Sequence, residues 1–129
     1  MAISHSNAAR NAMADAVDAQ VNTGSSDASG DFVMIDSGGP TDLVGIVLQE
    51  PAFGSAAAGV ITLAGTPLSN TATGTGTADT FEMRDRNNAV VIDGTVTASG
   101  GGGDVEIDNT SIATGQTVEL SSLTWTAPA

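Results

Sequence analysis

Thr80-Phe-Glu-Met-Arg-Asp-Arg-Asn-Asn-Ala-Val-Val-Ile-Asp-Gly-Thr-Val96 decides the fold class. Phe81 and Met83 alternate with Thr80, Glu82 and Arg84, while Val90, Ile92 and Val96 share one parity with Gly94 between them. Period-two alternation on both sides of a polar break predicts a β-hairpin with one face in the core and one in water. A tight turn at Asn87-Asn88 would put Met83 opposite Ile92 and Phe81 opposite Gly94, but it juxtaposes the like charges of Glu82 and Asp93. A plain three-residue loop would put Arg84 opposite Val90 and mix the faces. A four-residue loop, Asp85 to Asn88, pairs Met83 with Val90 and Phe81 with Ile92, and this is the register expected. It sends Phe81, Met83, Val90 and Ile92 into the core and leaves Arg84 and Arg86 at the tip.

More strands flank the hairpin. Asp31 to Asp36 encloses a short one, with Phe32 and Met34 on one side and Val33 and Ile35 on the other. Leu43 to Gln49 has apolar residues on both parities, which predicts a central strand covered on both faces. Gly59 to Ala64 reads as a strand, and Asn70 to Ala78 as a mobile loop or an irregular edge strand. Gly100 to Gly103 forms a glycine bend. Asp104-Val-Glu-Ile-Asp108 alternates, with Val105 and Ile107 inward. Thr110 to Gln116 is a loop, and Thr117 to Thr126 is a last strand bent or bulged at Ser121-Ser122.

At the other end, Ser6 or Ser4 can cap a helix from Asn7 to Val21, with Ala9, Met13, Val17 and Val21 as a narrow apolar stripe. Such a helix is marginal alone, so it docks on the sheet or on a neighbouring subunit. The organisation expected is an arm and helix over residues 1–24 and a β domain over 25–129. The fold class is mainly β: an N-terminal helix packed on an antiparallel β-sandwich or partly closed β-barrel.

Composition narrows the function. The chain has 129 residues, three Phe, one Trp, no Tyr and no Cys, and much of its apolar content is Ala. A core built from such small residues is thin, and thin cores often gain stability by assembly. Without Cys there is no disulfide, thiolate nucleophile or thiolate metal site. The net charge is -12, and Lys is absent. A surface of that sign repels nucleic acid backbones and anionic membranes, so neither is an expected partner. The apolar runs are too short to span a bilayer, and no secretory signal is visible.

Catalytic constellations are weak. His5, the single histidine, sits in the terminal arm without a partner motif, so no Ser-His-acid triad forms around it. No Gly-rich stretch ends in Lys. An acid pair for glycoside chemistry lacks aromatic residues to receive a sugar. Asp104, Glu106 and Asp108 line the outward face of one strand, and a calcium shell would need a loop to add ligands. A non-enzymatic protein without cofactor or metal is expected. Arg84 and Arg86 either pair locally or meet an acidic patch on a partner, and Arg10 has the same choice from the helix.

The segment Ser6-Asn-Ala-Ala-Arg-Asn-Ala-Met-Ala-Asp-Ala16 resembles the opening of a family of small tailed-phage virion proteins. Pro51-Ala-Phe-Gly-Ser-Ala-Ala-Ala-Gly59, Val91-Ile-Asp-Gly-Thr-Val96, Ile112-Ala-Thr-Gly-Gln-Thr-Val118 and Leu123-Thr-Trp-Thr-Ala-Pro128 match in the same order. The resemblance implies a head decoration, or cement, protein on the capsid surface of the virion. Such a protein clamps major capsid protein subunits and forms homo-oligomers, often trimers. A tail or neck component, or an adhesin-like β-sandwich module, is the alternative. Under the cement reading, Ile3, His5, Arg10, Met13 and Val17 of the arm and helix, with Arg84 and Arg86 of the hairpin tip, are the expected interface residues.

Overall fold

The computed structural model describes residues 3–129, so Met1 and Ala2 of the expected arm lie outside the described residues. Helix α1 (Asn7–Val21) precedes eleven short strands: β1 (Asp31–Asp36), β2 (Thr41–Val47), β3 (Val60–Thr62), β4 (Leu68–Thr71), β5 (Gly76–Thr77), β6 (Thr80–Arg84), β7 (Val90–Ala98), β8 (Val105–Ile107), β9 (Ser111–Ile112), β10 (Thr117–Leu120) and β11 (Thr124–Thr126). Among the described residues the fold is mainly β with a single helix packed near a five-stranded sheet of order β2-β1-β6-β7-β8. Three two-stranded ladders, β10-β4, β11-β3 and β5-β9, complete it.

The hairpin β6-β7 forms, but not in the expected register. Its loop is the three-residue one, Arg86 to Asn88. Asp85 N–H donates to Ala89 O (2.8 Å), and Asn88 N–H donates to Asp85 O (3.0 Å). The Asp85 carboxylate accepts from the N–H groups of Asn87 and Ala89 (2.8 and 2.9 Å). Asn88 takes the left-handed conformation, φ +65°, that Asn tolerates. Arg84 then faces Val90, and a bulge shifts the ladder so that Met83 faces Ile92, Glu82 faces Asp93 and Phe81 faces Gly94. The bulge repairs the mixed faces that argued against this loop. The like-charge pair is tolerated because Arg84 Nε and Nη2 donate to Glu82 Oε1 (2.9 and 2.8 Å). Phe81 and Met83 are buried and Ile92 is half-buried, but Val90 is 51% exposed and not a core residue. A Cβ on Gly94 would come within 2.7 Å of Phe81 Cε1, so glycine lets the ring cross the neighbouring strand.

β2 is a second correction: it is an edge strand, and β6 is the central one, with β1 between the two. Leu43, Val44 and Ile46 are buried on both parities because the chain after β4 crosses the edge. Asn70 Nδ2 donates to Gly45 O (2.8 Å), and the N–H groups of Thr73 and Gly74 both donate to Leu43 O (2.9 and 3.1 Å). The Asn70 to Ala78 stretch thus contributes β4 and β5 as irregular edge strands. The last strand does not bulge but divides, with β10 pairing to β4 and β11 to β3.

The sheet is not antiparallel throughout, since β8 runs parallel to β7. Parallel neighbours usually need a long crossover. Here residues 99–104 make the return, with Gly100 and Gly102 at φ +86° and +81°. A Cβ on Gly101 or Gly103 would come within 2.7–2.8 Å of the Thr97 side chain. The four glycines therefore reverse the chain in the space of one threonine.

Ser6 caps α1, its hydroxyl accepting from Ala9 N–H (3.1 Å). The buried face is rotated from the expected stripe: Ala14 and Val21 are fully buried, Met13 and Val17 are half-buried, and Ala9 is exposed. Polar residues account for the rotation, because they fasten the helix to the chain around Pro51 to Gly59. Asn11 Oδ1 accepts from Gly59 N–H (2.8 Å), Asp18 Oδ1 from Phe53 N–H (3.1 Å), and Asn22 Oδ1 from Ala52 N–H (2.9 Å). Ala14 and Val21 join one continuous core with Phe32, Met34, Met83 and Ile61, and the rings of Phe32 and Phe81 stack at 4.9 Å.

Candidate functional site

All three arginines donate to oxygens of their own chain. Arg84 bridges Glu82 and Asp42, with Nη1 3.1 Å from Asp42 Oδ2. Arg86 Nε donates to Asp27 O (2.8 Å). Arg10 lies over Gly59, where its Nη2 donates to Ala127 O (3.2 Å). The hairpin tip does not project either. Asn87 Oδ1 accepts from the N–H groups of Ser25 and Ser26 (3.1 and 3.2 Å), and Arg86 N–H donates to Thr23 O (2.9 Å). The turn is thereby tied to the loop that leaves α1.

The expected interface residues fall into two groups. Ile3, His5, Arg10, Met13 and Val17 belong to the arm and helix, whereas Arg84 and Arg86 lie beside the loop leaving its other end. The 15-residue helix, roughly 20 Å long, sets Ile3, His5 and Arg10 near one end apart from the hairpin tip near the other, with Met13 and Val17 between. Within the first group, Ile3 is 84% exposed, and His5 Nδ1 lies 3.0 Å from Ala129 O.

The acidic strand holds its own loop. Glu106 accepts from Gly100 and Gly102 N–H (3.0 and 3.2 Å), and Asp104 Oδ2 accepts from Thr95 N–H and Oγ1 (both 3.0 Å). These bonds hold the Asp104 carboxyl below the usual carboxylate range. Asp79 is lowered likewise, chiefly by the hydroxyl and N–H of Ser37. Asp31 is raised, first by burial and then by the neighbouring Asp27 charge. Among the described residues, no group of three or more His, Asp or Glu is placed to hold a metal ion. No helix among them is long and apolar enough to cross a membrane.

The signs of these shifts set a pH dependence. A depressed carboxyl contributes stability above the ordinary aspartate range and loses it as pH falls through its folded value. A raised carboxyl costs stability at neutral pH, and the cost vanishes once it is protonated. Asp104→Asn is therefore expected to lower the thermal midpoint at neutral pH, and Asp31→Asn to raise it slightly. Both differences should fade in strong acid. Thermal scans across pH check this, and a pH-independent effect of either substitution would contradict the assignment.

Two hollows open on the surface. A cleft of about 310 Å³ lies between β7 and the β3-β11 ladder, lined by Phe53, Phe81, Ile92, Leu123 and Trp125, with Asp104 at its rim. A groove of about 550 Å³ runs between β8 and β10, with Glu106, Asp108 and Glu119 along it. Neither hollow follows from the strands singly, because each is made by two ladders distant in sequence. The signal available was the alternation of Glu106 and Glu119 with buried Ile107 and Val118, which marks solvated strand faces.

Charge is also segregated along the chain. All 15 acidic residues lie at or beyond Asp15, so residues 1–14 carry none. Within it residues 3–6 are exposed, as are Ala9 and Ala12 in the first half of α1. Compared with known proteins, the chain matches no family model, no curated protein and no solved structure.

Proposed function

We propose that this chain is a structural protein of a tailed-phage particle, seated on the capsid exterior as a decoration protein that clamps neighbouring major capsid protein subunits. The observation that carries the reading is the charge segregation: residues 1–14 carry no acid, and all 15 Asp and Glu lie in the rest of the chain, with the helix fastened to the segment Pro51 to Gly59 through Asn11 and Asp18. One end can approach another protein while the acidic remainder stays in solvent and keeps particles apart. The ordered resemblance to small virion proteins supports the same role. We read the five-stranded sheet and the smaller ladders around one core as a partly closed β-sandwich, and the decorating unit as a homo-oligomer, a trimer by the same resemblance. The role is mechanical: area buried between capsid subunits resists internal pressure, with no cofactor and no chemistry.

Ala9→Glu combined with Ala12→Glu tests the docking end. Both positions are exposed, and Glu at position 9 completes a capping box with Ser6, so the fold should not weaken. Occupancy on preformed capsids is expected to require about tenfold more protein, equivalent to about 1.4 kcal/mol. Unchanged binding would contradict the assignment of this face.

A further inference from the structure

We propose that the groove between β8 and β10 receives the N-terminal arm of a second copy of this chain as an added strand. This rests on the assembly part of the proposed function and says where the copies join.

Both walls of the groove are strand edges without a partner among the described residues. In the parallel β7-β8 ladder, Ser99 N–H donates to Ile107 O (3.0 Å). The backbone groups of Val105 and Ile107 thus face β7, and those of Glu106 face away from it. Across the groove, Ala72 N–H donates to Gln116 O (2.7 Å). The alternation of an antiparallel ladder then turns the backbone groups of Thr117 and Glu119 away from β4. Glu106, Thr117 and Glu119 all line the same hollow. Two open edges facing one groove are a template for an extended segment that bonds to both.

Charge selects the occupant. Glu106, Asp108 and Glu119 make the groove acidic, and the acidic remainder of another copy is repelled from it. The acid-free arm is the complementary part of the chain. Residues 3–6 belong to no helix or strand, are exposed, and include His5. Ile3, 84% exposed, gains apolar cover from Ile107 and Val118 at the groove floor. Arm into groove is a heterologous contact, and a ring of copies fills each groove once. With the arm so engaged, the exposed helix face is left for the capsid.

The absence of cysteine permits a direct test in solution, without capsids, at moderate salt to screen the net charge. Protein carrying Ile3→Cys is mixed with protein carrying Thr117→Cys and oxidised; a parallel mixture pairs Ile3→Cys with Val47→Cys, an exposed position on β2. The arm exchange predicts a cross-linked heterodimer in the first mixture at several times the yield of the second. Equal yields would overturn it. So would a double variant, Ile3→Cys with Thr117→Cys, that closes only an intrachain disulfide, since the arm would then fill its own groove. Failure here with capsid occupancy intact removes the arm exchange alone, whereas cross-linking with no occupancy removes the capsid role alone.

Discussion

Phe32→Ala is expected to destabilise the chain by about 3–5 kcal/mol, a large part of the ~5–15 kcal/mol that holds a typical domain together. Phe32 is fully buried as the first of four consecutive buried residues of β1, the one strand with such a run, and its ring stacks on Phe81. Aromatic residues are few, and Phe32 sits across from buried Ile46 and Met83, which close-packed surroundings hold from collapsing far into the space that a phenyl ring vacates. Part of the loss belongs to the ring pair itself, about 0.5–1.5 kcal/mol beyond burial, which a double-mutant cycle with Phe81→Ala isolates. Urea unfolding monitored by Trp125 fluorescence measures the total. A loss under about 1 kcal/mol would mean that the core is not centred on this pair.

Gly30→Ala is expected to cost about 1–3 kcal/mol, because the added methyl has no space to enter. Its Cβ would stand 2.6 Å from Arg84 O, 2.9 Å from Val21 Cγ1 and 3.0 Å from Val21 O. Two of these atoms belong to the backbone, so a rotamer change does not relieve the clash. Gly30 also accepts the N–H of Leu48 (3.0 Å), which places it where the end of α1, the hairpin β6-β7 and the end of β2 meet. The substitution should therefore loosen the helix end and the hairpin tip together. Hydrogen exchange at Arg86 and Asn87, whose turn is tied to the loop after α1, should speed up along with the drop in stability. A variant as stable as the parent would show that the three elements are not locked there.

Local signals proved sufficient where one element decides its own form. The Ser6 cap and the length of α1 follow from capping and periodicity, and the alternation of Phe81 with Met83, and of Val105 with Ile107, assigns the right residues to the core. Legibility ended where a second element intervenes. The hairpin register depends on a bulge near Val91 and on Arg84 neutralising Glu82, neither of which alternation reveals. Asp85 and Asn88 were the local clue, since an aspartate that binds the turn backbone and an asparagine in the left-handed region suit a three-residue loop. Apolar residues on both faces of β2 predict a central strand, but its cover comes from a crossing segment, not from a neighbouring strand. The buried helix face is rotated from the apolar stripe because Asn11 and Asp18 accept from the backbone N–H groups of Gly59 and Phe53. For the interface residues, the choice between local pairing and a partner falls to local pairing, and only Glu82 of the oxygens engaged lies near in sequence, since Asp42, Asp27 and Ala127 are distant. The groove between β8 and β10 was hidden for the same reason.

The central claim, a decorating role on the phage capsid, is tested most directly by imaging an intact particle that carries this chain. Density for it is expected on the outer surface of the head, at a copy number fixed to that of the major capsid protein, with the exposed face of residues 7–14 toward the capsid. Density confined to the tail or neck, or no density on the particle, would contradict it.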